Sequence, residues 1–232
     1  MRFGGLQKNS LIDYPGKVSC VIFLSGCNFN CPYCHNPDLV KGRLPCKDAP
    51  DEETVYEFLE KRKGLLGGVV ISGGEPTLDR DLILFCEKIK KIGYPLKLDT
   101  NGSKPEVIEE LIHEELVDYI AMDIKTDPFH YSPTVIRDYD PRSILTSIHT
   151  IMKKAKVYEF RTTCVRPMVT EHIIENIGKI IKGARLYALQ RFRNGRVLHP
   201  EYFRDHQGNY DEDGLLHLKS IAEQWVKECV VR

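Results

Sequence analysis

An α/β fold is what this sequence predicts: a partial (β/α)6 barrel, curved and open, with a mostly parallel sheet. Three observations carry the prediction. Six short runs rich in β-branched residues recur along the chain, stretches of helical period lie between them, and four polar signatures fall where strands end. Strands that alternate with helices of this length build parallel sheets through right-handed crossovers. Such sheets gather ligands beyond the carboxyl ends of their strands, so the polar signatures should share one rim.

The runs are VSCVIFL (18–24), GVVIS (68–72), LKLDT (96–100), YIAMDI (119–124), YEFRTTCV (158–165) and ARLYALQ (184–190). Each is short and apolar, as a strand covered on both faces should be. The helical stretches follow in order. DEETVYEFLEKRK carries Asp51 and Glu52 in its first turn, RDLILFCEKIKK comes next, and PEVIEELIHEEL opens with Pro105 near its first position. RSILTSIHTIMKKA follows, then TEHIIENIGKIIK with Thr170 as its N-cap. These are ordinary helix-start signals. From Phe192 to Arg232 the chain turns rich in Arg, His, Asp and Gly before a last predicted helix, LLHLKSIAEQWVKECV; this part is expected to close or flank the open side of the barrel. A length of 232 residues predicts one domain over 1–232, with its core at about 16–190 and a C-terminal extension at about 191–232.

Composition excludes some classes of function. With 33 Lys+Arg against 33 Asp+Glu there is no global basic field for nucleic acid, so a polyanion would need a local patch. ARLYALQRFRNGR mixes arginines with aromatics and keeps RNA in view, although a strand followed by a solvated loop is the favoured account of it. No run of about 18 apolar residues appears and MRFGGLQKNS lacks a signal-peptide pattern, which predicts a cytoplasmic chain with no membrane partner. Cytosolic thiols stay reduced, so clustered cysteines point to metal or redox chemistry. Of eight cysteines only Cys27, Cys31 and Cys34 cluster; Cys20, Cys86 and Cys164 read as core residues, and Cys46 and Cys229 are unassigned.

The triplet lies in CNFNCPYCHN, after the first strand, with Gly26 before it and Pro32 within it. Its spacing fits a zinc site completed by His35, Cys46 or another distant ligand. Zinc sites usually pair ligands from two places, so the spacing is better met by three thiolates around a four-iron cluster whose fourth iron keeps an open position. GGEP after the second strand lets backbone approach a ligand closely, with Glu75 as an acceptor suited to an ammonium group. A phosphate loop would need Lys followed by Ser or Thr there. Asp99-Thr100 and Met122-Asp123 end neighbouring strands with carboxylates at matching heights, able to take a hard cation or a ribose hydroxyl pair. Lys125 can pair with Asp123 or with a ligand carboxylate, Arg161 and Arg166 border the fifth run, and Tyr33 can stack on a flat heterocycle.

The triplet, with Tyr33 before its third cysteine and GGEP after the second strand, resembles the radical S-adenosylmethionine (SAM) superfamily. More narrowly, GGLQKNSLIDYPGKVSCVIFLSGCNFNCPYCHNPDLV is similar to the activating proteins of anaerobic ribonucleoside-triphosphate reductase, within the glycyl-radical-enzyme activases. CHN, DTNG and MDIK echo that group. Motif-level likeness spans Gly4 to Lys125, and strand order extends it to Gln190.

The resemblance implies a radical SAM type of partial barrel. It implies a [4Fe–4S] cluster held by Cys27, Cys31 and Cys34, its fourth iron bound by the amino and carboxylate groups of S-adenosylmethionine. Tyr33 would contact adenine through backbone or ring, and Gly73, Gly74 and Glu75 would receive the methionine ammonium. Asp99, Thr100, Met122 and Asp123 match positions that bind a monovalent cation in the pyruvate formate-lyase activase, and Lys125 matches a basic residue near the cofactor. The implied activity is reductive cleavage of the cofactor, with flavodoxin or ferredoxin as donor. The resulting 5′-deoxyadenosyl radical takes hydrogen from a glycine of a partner glycyl radical enzyme, an anaerobic ribonucleotide reductase first. The alternative is a radical SAM enzyme acting on a small molecule, a peptide or an RNA base. A zinc or iron–sulfur binding module comes third, because a structural metal does not require four converging rim motifs. The chain departs from the pattern at LQRFRNG, where the pyruvate formate-lyase activase has a histidine and this sequence has Gln190, Arg191 and Phe192, so substrate-side contacts there are unassigned.

Overall fold

A computed structural model describes residues 1–42, 49–137, 140–204 and 208–232; Cys46 lies outside the described residues. Its strands form one sheet in the order β1 to β8, in which β1 and β8 are the two edges and do not pair. The six runs read from the sequence are β2 (Ser19–Leu24), β3 (Gly68–Gly73), β4 (Leu96–Thr100), β5 (Tyr119–Asp123), β6 (Tyr158–Cys164) and β7 (Tyr187–Arg191), all mutually parallel. The barrel is therefore partial, as expected.

Two edge strands escape the sequence pattern. β1 (Phe3–Ser10) runs antiparallel to β2, and its sequence FGGLQKNS has no apolar alternation because much of it is open to solvent. At the other edge the expected helix over 215–230 is corrected. The helix spans Glu212–Ala222, and Cys229–Val231 is β8, paired parallel to Tyr187–Leu189. The reason is satisfaction of β7: Tyr187 N–H donates to the Glu228 carbonyl and Arg191 N–H to the Arg232 carbonyl, bonds a continued helix could not make.

Helices α1 (Pro37–Val40), α2 (Glu52–Lys61), α3 (Leu82–Ile92), α4 (Pro105–His113), α5 (Pro141–Lys154), α6 (Glu171–Ile180) and α7 (Glu212–Ala222) fill the connections. Asp51 caps α2 by accepting from Thr54 N–H, and Thr170 caps α6 by accepting from Ile173 N–H. Their apolar stripes bury residues such as Leu59, Phe85, Ile89, Ile108 and Ile148 against alternate strand residues Cys20, Ile22, Ile71, Leu98 and Phe160. Each such side chain contributes about 2 kcal/mol by leaving water. Cys20, Cys86 and Cys164 are fully buried here, as read.

Strand alternation leaves the other residues on the inner face. At its floor Tyr14, Val21, Val70, Tyr119 and Ala121 make a small apolar cluster, with Tyr14 and Tyr119 edge to face at 5.9 Å. Elsewhere on that face stand Lys97 and Asp99 of β4, Asp123 of β5 and Arg161 of β6.

Candidate functional site

The cysteine loop leaves β2 and is pinned from several sides. Gly26 N–H donates to the Leu39 carbonyl at 2.7 Å, Asn30 N–H to the Val135 carbonyl at 2.7 Å, and Cys34 N–H to the Cys31 carbonyl at 3.0 Å. Phe29 is buried edge-on against Tyr131 at 5.6 Å. These bonds turn Cys27, Cys31 and Cys34 into one cavity of about 230 Å³. Cys27 Sγ accepts from Phe29 N–H at 3.4 Å and from Asn101 Nδ2 at 3.9 Å. Burial pushes the Cys27 thiol up to about 11 and the Cys31 thiol up to about 12. Desolvated thiols of this kind stay protonated until a strong positive centre such as iron takes their charge.

The second wall is GGEP. Gly74 N–H donates to the Leu24 carbonyl and Glu75 N–H to the Gly26 carbonyl, both at 2.8 Å, so β3 is stitched to the start of the cysteine loop. The approach requires glycine. A Cβ on Gly73, whose φ is +128°, would lie 2.2 Å from the Leu24 carbonyl oxygen, and one on Gly74 1.9 Å from that of Gly26. Glu75 is 2% exposed. Its Oε1 accepts from the Thr77 amide and hydroxyl and from Thr100 Oγ1 at 2.7 Å, and its Oε2 accepts from Asn101 N–H at 2.6 Å. Burial still raises its carboxyl above the usual range, and the donors only offset that.

The third wall is charged. Asp123 and Arg161 are register partners on β5 and β6. Arg161 Nε donates to Asp123 Oδ1 at 2.7 Å and Nη1 to Asp99 Oδ1 at 3.3 Å, while Lys125 Nζ donates to Asp123 Oδ2 at 2.9 Å. From below, Lys97 Nζ donates to Asp99 Oδ1. Burial would raise the Asp123 carboxyl, but Arg161 and Lys125 outweigh it and hold it well below the usual range. Lys125 moves the other way: burial opposes its charge, and Asp123 nevertheless holds the ammonium well above its ordinary value.

Cys27, Cys31, Cys34, Tyr33, Gly73, Gly74, Glu75, Asp99, Thr100, Asp123, Lys125 and Arg161 all line this cavity, as the sequence led one to expect of a shared rim. Three residues do not join them. Met122 packs its side chain beside Gly102, where an added Cβ would lie 2.0 Å from Met122 Cε. Arg166 covers the Tyr210 ring at 4.2 Å, and Arg191 pairs with Glu212. Tyr33 lines the cavity, but its ring is 4% exposed and set edge-on to Phe192 at 6.5 Å, so it offers no open stacking face. Its hydroxyl is buried with no hydrogen-bond partner among the described residues.

Sequence reasoning missed four contributors. Asn101 bonds Glu75, Asn28 and a cysteine sulfur, and was visible only as a letter of DTNG. Lys97 shares the inner face with Asp99 by strand alternation, a signal present in LKLDT. Phe192 stacks on His35 at 5.5 Å, and His199 N–H donates to the Pro32 carbonyl at 3.1 Å, so the C-terminal extension lies on the cysteine loop. Nothing local announces those two.

The arrangement suits a compact iron–sulfur object beside a small zwitterion. The donor set is three thiols, and the opposing walls carry the buried Glu75 carboxyl and the half-buried ion pairs of Asp123 with Lys125 and Arg161. Among the described residues no helix is long and apolar enough to cross a membrane.

Comparison with known proteins agrees with this chemistry. The family model described as the Radical SAM superfamily matches residues 21–181. A Methanocaldococcus jannaschii protein named "Putative glycyl-radical enzyme activating enzyme" is 39% identical over 98% of this chain and 94% of its own length. A Listeria monocytogenes "Pyruvate formate-lyase-activating enzyme" is 35% identical over 53% of this chain and 53% of its own. Among solved structures, Streptococcus suis SuiB bound to S-adenosylmethionine superposes with a TM-score of 0.65 at 14% identity, covering 91% of this chain and 49% of that one. At that identity the likeness speaks for the fold.

Proposed function

The chain belongs to the Radical SAM superfamily, and from that premise we propose that it generates a glycyl radical on a partner enzyme, its specific target being an anaerobic ribonucleotide reductase. The observation that carries the reading is the make-up of one cavity, where three cysteines face a buried carboxyl on one side and a half-buried ion-pair network on another. When bound there, a [4Fe–4S] cluster and S-adenosylmethionine supply reductive cleavage to a 5′-deoxyadenosyl radical, with flavodoxin or ferredoxin as the source of the electron.

The chain's own residues divide the work of binding and orientation. Cys27, Cys31 and Cys34 would hold three irons, on a loop fixed before any ligand arrives by its bonds to Leu39, Val135 and Glu75. Gly73 and Gly74 bring backbone against the ligand, and Glu75 places negative charge where a methionine ammonium would sit. Thr100 orients Glu75 through its hydroxyl. Lys125 would face the methionine carboxylate, its position set by Asp123. Asp99 and Asp123 hold Arg161 in the inner face. Tyr33 walls the adenine side with its edge and backbone. These walls exclude water from the reacting bond and supply fixed dipoles in its place.

Likeness over nearly the whole chain to the M. jannaschii protein supports the activase reading, as does the unpaired gap between β1 and β8, an opening suited to a loop of a macromolecular substrate. The reading places the protein in the cytoplasm. Its test is anaerobic reconstitution with iron and sulfide, then reduction in the presence of S-adenosylmethionine and a cognate glycyl radical enzyme. We expect 5′-deoxyadenosine and a glycyl electron-resonance doublet on the partner. Cleavage without a doublet on any glycyl radical enzyme overturns the activase reading, and a colourless zinc protein without cleavage overturns the whole.

A further inference from the structure

The strand-end carboxylates that the family resemblance assigns to a monovalent cation already carry tethered cations in this chain. Lys97 is 1% exposed and stands two residues before Asp99 on the inner face of β4. Its ammonium bonds Asp99 Oδ1 and lies 5.8 Å from the centroid of the Tyr119 ring. Arg161 reaches the same Asp99 oxygen at 3.3 Å and Asp123 Oδ1 at 2.7 Å, and Lys125 takes Asp123 Oδ2 at 2.9 Å. The nearby acids are engaged elsewhere: Glu159 pairs with Arg232 at 2.9 Å, and Glu75 is bonded by Thr77, Thr100 and Asn101.

The other two members of the expected cation site are also committed. Thr100 Oγ1 donates to Glu75, and the Met122 side chain lies on the helix side beside Gly102. An alkali ion between Asp99 and Asp123 would sit against a guanidinium and two ammonium groups in a largely buried space, where like charges repel far more strongly than in water. A lysine ammonium carries the charge of an alkali ion and nearly the radius of potassium, and its stem removes the need to capture one from solution.

We propose that Lys97, with Arg161, is a built-in replacement for the monovalent cation, fixing Asp99 and Asp123 so that this chain binds S-adenosylmethionine without an alkali ion. Lys97 acts through Asp99 and is a positioning residue. The proposal rests on the radical SAM reading above, and the test keeps the two apart.

Thallium(I), a potassium substitute observable by nuclear magnetic resonance, is titrated anaerobically into the wild-type chain and into Lys97→Met, which keeps an unbranched side chain one atom shorter and loses the charge. Saturable binding is expected for the variant alone. In parallel, equilibrium dialysis measures S-adenosylmethionine affinity of the cluster-loaded proteins in tetramethylammonium or potassium chloride at equal ionic strength. Wild type should bind equally in both. Lys97→Met should bind about tenfold more weakly in tetramethylammonium, the scale of one charged hydrogen bond, and recover in potassium; Lys97→Arg should stay indifferent to the salt. Saturable thallium binding by wild type, a potassium requirement in wild type, or a Lys97→Met variant unaffected in both salts overturns the proposal. The wild-type arm needs no variant to fold. Failure of wild type to bind S-adenosylmethionine in either salt overturns the functional reading, while the thallium titration still decides the cation question.

Discussion

The cysteine loop is gripped from two sides, and the grips differ in kind. On the β3 side it is held by backbone bonds from Gly74 and Glu75 in a buried seam. On the other side lies the segment after β7, which touches it with Phe192, a bidentate ion pair from Arg196 to Asp38 at 2.8 and 2.9 Å, and the His199 amide. The first grip has no room for change and little dependence on solvent. The second mixes one buried ring with exposed polar contacts, so its strength should be concentrated in the ring. A set of substitutions can break that contrast or sharpen it.

The largest effect is expected at Gly74. A methyl there would overlap the Gly26 carbonyl group, 1.9 Å from its oxygen and 2.5 Å from its carbon, and backbone cannot step aside as a flexible side chain can. Gly74→Ala should cost about 3 kcal/mol or more and displace the cysteine loop, read as a lowered unfolding midpoint together with loss of iron on reconstitution. A stable, fully iron-loaded variant would show that the seam is softer than its geometry.

Next comes Phe192, 3% exposed and stacked between His35 at 5.5 Å and Phe203 at 5.3 Å. Phe192→Ala should cost about 3 kcal/mol by chemical denaturation, the usual penalty for emptying an aromatic site, while iron content falls less than in Gly74→Ala because the β3 seam survives. Glu75→Gln follows at about 2 kcal/mol, since an amide turns one donor toward the Thr77, Thr100 and Asn101 donors that the carboxylate accepts.

These same positions show what a sequence can and cannot disclose. GGEP, DTNG and the cysteine triplet were legible because each is a short contiguous motif, and part of its geometry is local, as where the Glu75 carboxylate accepts from the amide two residues on. The union of Asp123 with Arg161 was half legible. Each lay at a strand end, but their contact depends on the β5–β6 register, which no local pattern states. Lys97 was written in the alternation of LKLDT and passed over because a lysine in a strand is usually taken for a solvated one. β1 and β8 were missed for opposite reasons. β1 is too polar to look like a strand, and β8 continues a run whose spacing suits a helix until the edge of β7 claims it. The grip of Phe192 on His35 joins residues far apart in sequence, and only folding brings them together.

The inner carboxylate of Asp123 allows a test by acid. Asp123 has its carboxyl held below the usual range by Arg161 and Lys125 against the opposing effect of burial. A depressed folded value means stability that is complete above the unfolded value of about 4 and lost as pH falls through the folded one. Wild type should therefore lose stability steadily as pH drops below about 4, and Asp123→Asn should lose less over that window because it has one fewer proton to take up. Urea midpoints against pH give the slope, and an unchanged slope in the variant would mean that Asp123 is not the group being titrated.

The smallest effect is expected at Arg196, although its contact with Asp38 is the more conspicuous one. Both partners are exposed, 71% and 38% by side chain, so the bidentate geometry works in high dielectric and against the entropy of holding two long side chains. Arg196→Ala should change stability by less than about 1 kcal/mol and leave iron loading as it is, with any residual effect vanishing in high salt as screening removes what the pair contributes. The decisive measurement is the double-mutant comparison of Arg196→Ala and Phe192→Ala. If the ring carries the attachment, removing Arg196 in the Phe192→Ala background changes little more. A combined loss well short of the sum, with Arg196→Ala costly alone and nearly neutral once the ring is gone, would mean instead that ring and ion pair hold the segment as one unit.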